Sequence, residues 1–177
     1  LFADLVGFTP MSAKLPAEDV VDRLDSIFTR FDRLCEKHEV EKIKTIGDAY
    51  MVAAGVPDSQ ADHASRVAAF ALDMLDVVRE EAQRFDADLE LRIGLNSGPV
   101  VAGVIGERKF VYDLWGDTVN VASRMESHGL AGRVQVSDTT AAHLTEGFKL
   151  TERGQIDVKG RGMMTTFLVD RAAPLGG

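Results

Sequence analysis

The chain has 177 residues, 45% of them hydrophobic and 27% charged, the mix of a globular protein large enough to bury one core. Lys and Arg number 20 against 28 Asp and Glu, a formal net charge of −8, which is the wrong sign for a general nucleic-acid binder; no apolar run approaches the roughly 20 residues that cross a bilayer, and no signal stretch is visible. The single cysteine, Cys35, has no internal disulfide partner, which excludes disulfide scaffolds and zinc fingers and fits a reducing, cytoplasmic compartment.

Residues 1–5 read as a short buried strand entered in its middle, so upstream sequence is expected, with room there for a membrane anchor or regulatory domain. Pro16 opens a long helix with Glu18 and Asp19 in its first turn. Val20, Leu24, Ile27, Phe28, Phe31 and Leu34 form its apolar stripe. Residues 40–46 and 50–54 read as strands joined tightly at Gly47-Asp48. Asp62 is placed as the cap of a second long helix, whose buried face is Val67, Ala71, Met74, Leu75 and Val78.

Residues 89–95 alternate as a half-buried strand, followed by the turn Asn96-Ser97-Gly98-Pro99. Strands at 100–105 and 110–115 flank a turn at 106–108. A helix over 117–127, a strand at 134–136 and a short helix over 138–144 follow. Strands at 148–158 and 165–169 close the domain around Lys159-Gly160-Arg161-Gly162, and 172–177 reads as a frayed tail. Interleaved strands and helices with two tight hairpins predict an α/β sandwich, its sheet partly antiparallel and covered by helices.

Two carboxylates fall at predicted strand ends, Asp4 and Asp48. Beside flexible Gly backbone, such a pair suits a magnesium site that also holds phosphate oxygens. A plain turn residue explains Asp48 equally well on spacing alone. The segment from Leu5 through Phe8 and Thr9 is a loop leading into a helical turn, whose amides suit a triphosphate; it is not a P-loop, since no Gly-Lys-Ser/Thr follows. Lys44 and Asp113 are the odd polar residues of apolar strands. Taken together, a donor and an acceptor suit the edge of adenine, which offers N1 as acceptor and the N6 amino group as donor, whereas guanine reverses that pattern. A snorkelling lysine is the alternative reading of Lys44. Asn120 and Arg124 lie four apart and share one helix face; they suit a ribose oxygen and a phosphoryl charge, or a solvated face. Lys159 and Arg161 flank a glycine in a turn within reach of phosphates, or are simply solvated.

The order of these segments is more specific than any one of them. Phe2-Ala3-Asp4-Leu5-Val6-Gly7-Phe8-Thr9 resembles the opening motif of class III nucleotidyl cyclase catalytic domains. Lys42 to Met51 resembles the second motif, Leu114 to Ser127 the third and Val158-Lys159-Gly160 the fourth. The resemblance implies a ferredoxin-like βαββαβ palm core with additional C-terminal strands and helices, spanning residues 1–171. It implies that Asp4 and Asp48 bind two divalent ions, Mg²⁺ or Mn²⁺, with the Leu5 carbonyl as a further ligand. Phe8 and Thr9 would meet the triphosphate, Lys44 and Asp113 would select the base, Asn120 would orient the ribose, Arg124 would stabilise the transition state and Lys159 would hold the terminal phosphates.

Guanylyl cyclases typically carry Glu and Cys at the two base-selecting positions, so Lys44 and Asp113 mark an adenylyl cyclase. The implied reaction is ATP to 3′,5′-cyclic AMP and pyrophosphate, in a homodimer with two composite sites, since one chain holds both residue sets. A catalytically silent domain of the same fold, or guanylate cyclase activity, is the alternative. One departure is visible: Pro99 follows Ser97-Gly98 where some heterodimeric relatives carry an arginine.

Overall fold

The structure is a computed structural model, described here for residues 1–105, 111–144 and 146–173. The elements run β1 (Phe2–Val6), α1 (Phe8–Ser12), α2 (Ala17–His38), β2 (Glu41–Ile46), β3 (Ala49–Ala53), α3 (His63–Phe85), β4 (Glu90–Leu95), β5 (Val101–Ile105) and β6 (Val111–Trp115). There follow α4 (Asp117–Ser127), β7 (Val134–Ser137), α5 (Asp138–Ala141), β8 (Phe148–Val158) and β9 (Gly162–Arg171). One seven-stranded sheet has the order β2-β3-β1-β4-β7-β9-β8, and β5-β6 form a separate two-stranded sheet. Only the β4–β7 pairing is parallel among the described strands. The β2-β3-β1-β4 segment with α2 and α3 is the expected βαββαβ core, extended by β7, β8 and β9.

Side chains alternate across each strand. Leu1, just before β1, Ala3 and Leu5 of β1 and Leu91, Ile93 and Leu95 of β4 enter one core with Ile27 and Phe31 of α2 and Phe70 and Met74 of α3. Phe31 is fully buried, and truncating such a ring to alanine costs about 3–5 kcal/mol. The intervening residues Phe2, Asp4, Arg92 and Gly94 therefore point to the opposite face, where α4 lies over β4, β1 and β7. Gly94 makes this approach possible: a Cβ there would stand 1.9 Å from the Glu126 nitrogen. A second small core of Val121, Met125 and Val158 joins α4 to the β8–β9 hairpin.

Several boundaries differ from the expected ones. The loop expected from Leu5 to Thr9 shrinks to Gly7, since Leu5 and Val6 still belong to β1 and Phe8 and Thr9 already open α1, the expected helical turn. The helix starting at Asp138 stops at Ala141, short of the expected end at residue 144, with Ser137 as its N-cap accepting from the Thr140 amide. β9 is longer than 165–169, since Gly162 to Met164 pair with Val158 to Ile156. Asp62 occupies the N-cap of α3 but caps nothing with its side chain; its carboxylate meets Arg66 Nε at 2.8 Å instead. A third hairpin, β5–β6, joins the two expected ones. The predicted turn at 106–108, Phe110 and the end of the tail lie outside the described residues. Among the described residues no helix is long and apolar enough to cross a membrane.

Candidate active site

Asp4 lies within β1, opposite Ala49 of β3 on one side and Arg92 of β4 on the other. Asp48 precedes Ala49 in the β2–β3 turn, which sets the two carboxylates side by side. Burial and the charge of Asp48 push the Asp4 carboxyl up, while Arg92 pulls it down. A carboxylate destabilised by its neighbour is one that a cation between them would favour. Among the described residues no three His, Cys, Asp or Glu side chains converge on a metal position. Two carboxylates and a backbone carbonyl are nonetheless the sparse donor set that Mg²⁺ accepts when substrate phosphates complete its shell. Leu5 offers only its backbone, since its side chain is buried; pairing with β3 stops at Asp4.

The chain leaves β1 through Gly7 at φ 88°, where a Cβ would stand 2.2 Å from the Asp88 carbonyl oxygen. Only glycine fits both the left-handed backbone and that contact. Phe8 and Thr9 are thus the first residues of α1. Phe8 packs on the core and Thr9 is exposed, so what Phe8 can offer a ligand is its backbone.

Lys44 and Asp113, 69 residues apart, form an ion pair between Nζ and Oδ2. A bulge between Lys42 and Lys44 shifts the register of β2 against β3 and re-aims the side chains that follow. Their face is not a closed apolar one, since Ile46, on the same side, is 52% exposed. Burial pushes Asp113 up, but the hydrogen bonds from Lys44 and from the Leu114 amide, at 2.8 Å, bring its carboxyl below the usual range. Lys44 is therefore neither free nor snorkelling: a donor and an acceptor stand adjacent and half-exposed.

β6 runs through Gly116 into α4, whose Val121, Ala122 and Met125 are buried. Asn120 and Arg124 stand on its exposed side. Val158 packs on α4, which puts Lys159 beside it. Among the described residues, the side chains of Asn120, Arg124 and Lys159 have no hydrogen bond or ion pair. Arg161, in contrast, is engaged by Asp117 at the start of α4. The turn ending at Pro99 is fixed to α4 by Thr118, whose hydroxyl donates to the Pro99 carbonyl at 2.7 Å.

Arg124 and Glu126 face different ways, because two residues on a helix turn through roughly 200°. Glu126 reaches inward to Arg92 Nε at 2.6 Å, and Arg92 Nη2 reaches Asp4 Oδ2 at 3.2 Å. Burial pushes the Glu126 carboxyl up; Arg92 lowers it, and Asp4 and Asp48 raise it further. Neither Arg92 nor Glu126 stands out as a site residue in the sequence. The alternation of 89–95 marks Arg92 as outward-facing, but only the β1–β4 register reveals that it faces Asp4. One chain thus presents two groups: Asp4, Leu5, Asp48 and α1 on one flank, and Lys44, Asp113, Asn120, Arg124 and Lys159 around β6 and α4. A cavity of about 480 Å³ bounded by Phe2, Met51, His63, Asn96 and Thr118 contains none of them.

The family described as adenylate and guanylate cyclase catalytic domain matches residues 1–171. An adenylate cyclase of Mycobacterium tuberculosis is 49% identical over 97% of this chain and 39% of its own length. The guanylate cyclase soluble subunit beta-2 of Rattus norvegicus is 46% identical over 96% of this chain and 25% of its own. The chain therefore spans well under half of these relatives. Among solved structures, the guanylate cyclase domain of RhGC from Catenaria anguillulae in complex with GTP superposes with a TM-score of 0.91 at 38% identity, over 97% of this chain and 94% of that one. The adenylyl cyclase CyaB from P. aeruginosa gives 0.92 at 28% identity, over 99% and 94%. Cyclases of this kind use divalent metal ions and act on nucleotides as dimers. By sequence match and by fold, the chain belongs to the adenylate and guanylate cyclase catalytic domain family.

Proposed function

We propose that residues 1–171 form an adenylate cyclase domain, with 172–177 as a tail, which converts ATP to 3′,5′-cyclic AMP and pyrophosphate at a site shared by two copies. The observation that carries the choice of base is the Lys44–Asp113 pair. Lys44 donates to adenine N1 and Asp113 accepts from the N6 amino group. Guanine would set its N1–H against the ammonium and its O6 against the carboxylate, leaving both polar groups unmatched.

Asp4, Asp48 and the Leu5 carbonyl hold the ions. When bound, the two cations lower the pKa of the ribose 3′-hydroxyl and neutralise the triphosphate. The amides of Phe8 and Thr9 line the triphosphate. Asn120 holds the ribose so that its 3′-oxygen faces the α-phosphorus. That oxygen attacks in line as its proton passes to water, and the bond to pyrophosphate breaks. Arg124 stabilises the charge that builds on the phosphoryl oxygens, and Lys159 holds the departing phosphates. With Pro99 in place of a basic residue and a net charge of −8, phosphate binding leans on Lys159, Arg124 and the ions.

The divergent directions of Arg124 and Glu126 support a shared site, because the helix face with Asn120 and Arg124 turns away from its own Asp4. The β5–β6 hairpin supports it too, with Val101, Val104 and Ile105 at 68%, 56% and 63% exposure, an apolar edge suited to a second copy. A cytoplasmic setting fits the buried free thiol of Cys35.

Incubating the protein with ATP or GTP plus Mn²⁺, with product identified by mass, tests the reading. Cyclic AMP from ATP is expected, and its loss in Asp48→Ala. Near-normal turnover by Asp48→Ala would defeat the metal assignment. The guanylate cyclases among the relatives favour GTP as a second reading, and cyclic GMP as the main product would select it. No product from either nucleotide would select a silent domain.

A further inference from the structure

We infer that Arg92 is a positioning residue that sets the orientation of Asp4 for the cation, and that Glu126 holds Arg92 in place for that task. The inference rests on the metal assignment above. Arg92 is the direct cross-strand partner of Asp4. Its guanidinium bridges two carboxylates through different nitrogens, Nη2 to Asp4 at 3.2 Å and Nε to Glu126 at 2.6 Å. Glu126 is 12% exposed and Arg92 29%, so the bridge is largely shielded from water, where geometry matters more than for a surface pair. The stem of Arg92 is confined as well: a Cβ on Gly129 would come within 3.1 Å of its Cγ.

Two neighbouring carboxylates, Asp4 on β1 and Asp48 in the β2–β3 turn, repel each other and tend to swing apart. A fork anchored on α4 that grips one oxygen of Asp4 removes that freedom and leaves the other oxygen for a ligand. It also carries information between the two flanks, because Glu126 belongs to the helix that bears Asn120 and Arg124. Arg92 touches neither substrate nor ion; it acts through Asp4.

Two roles for Arg92 predict opposite results. If it only balances charge, removing it makes the site more negative and Mn²⁺ binds more tightly. If it positions Asp4, removing it loosens Mn²⁺. The test is Mn²⁺ binding to the nucleotide-free protein, read from the electron paramagnetic resonance of the free ion, with melting curves to verify folding. Arg92→Gln is expected to weaken Mn²⁺ about tenfold or more, the usual scale for residues that orient a metal ligand. Arg92→Lys keeps the charge without the planar fork and is expected to remain weak. Glu126→Gln, nearly isosteric, is expected to weaken Mn²⁺ in the same direction, and carries the test alone if Arg92→Gln fails to fold. Unchanged or tighter binding in Glu126→Gln or Arg92→Gln, or full recovery in Arg92→Lys, overturns the inference. Asp48→Asn separates the failures: if it binds Mn²⁺ like the unaltered protein, the metal assignment itself falls; if it alone loses Mn²⁺, only the role of Arg92 falls.

Discussion

A single methyl group at position 94 probes how tightly the site depends on α4. In Gly94→Ala the new Cβ would lie 1.9 Å from the Glu126 nitrogen and 2.4 Å from the Met125 carbonyl carbon. Both are helix backbone, which has no rotamer by which to yield. Ordinary contact begins near 3.4 Å, so from 1.9 Å α4 must retreat by about 1.5 Å. The retreat carries Asn120, Arg124 and Glu126 with it and loosens Met125 from its pocket. Overpacking of this kind costs about 1–3 kcal/mol, and a shift near 1 Å in catalytic groups can cost about 10²-fold in rate. We therefore expect Gly94→Ala to melt several degrees lower and to lose about 10²-fold in kcat with ATP and Mn²⁺, while still folding. Urea unfolding and steady-state kinetics on the same sample measure both. Turnover within threefold of the unaltered chain, with unchanged stability, would refute the argument that the β4–α4 contact sets the site.

Other expectations follow from single interactions. Burial alone would raise Asp73, but Lys37, His38 and Arg171 converge on it at 2.8, 2.8 and 2.6 Å and bring its carboxyl down to about 2. Because the folded value lies below the unfolded one of about 3.9, the stabilisation, about 2 kcal/mol, is present above pH 5 and fades as pH falls towards 2. Asp73→Asn should accordingly be destabilised at pH 7, with about half of that penalty gone by pH 3; urea titrations that give the same penalty at both pH values would count against it. Lys44→Glu combined with Asp113→Cys should erode the preference for ATP over GTP, measured as the ratio of kcat/KM values, and unchanged selectivity would remove the pair from base reading.

Features set by neighbouring residues are legible in this sequence. The stripe from Val20 to Leu34 foretold α2, and Gly47-Asp48 foretold the β2–β3 turn, because helical period and turn chemistry are properties of neighbouring residues. Ser137 capping its own short helix was harder, since whether a helix continues past one turn depends on what it packs against. Register was not legible at all. That Asp4 faces Arg92, 88 residues away, is a product of β1–β4 pairing, and the bulge before Lys44 leaves no mark in the strand's composition. The meeting of Lys44 with Asp113 followed from the family resemblance, not from either strand. Gly94 read as an ordinary polar position of an alternating strand; only the helix lying on it explains why a side chain is excluded.

The most direct test of the central claim mixes two defective chains. Asp48→Ala removes a metal carboxylate, and Arg124→Ala removes a charge-stabilising donor, a loss typically worth about 10²–10³ in rate. Each alone should be nearly inactive. If one site draws its halves from two copies, a mixed dimer keeps one intact site and both defects in the other, so the mixture should regain up to about a quarter of full activity when chains pair at random. No recovery, with mixed dimers shown to form, would contradict the shared site.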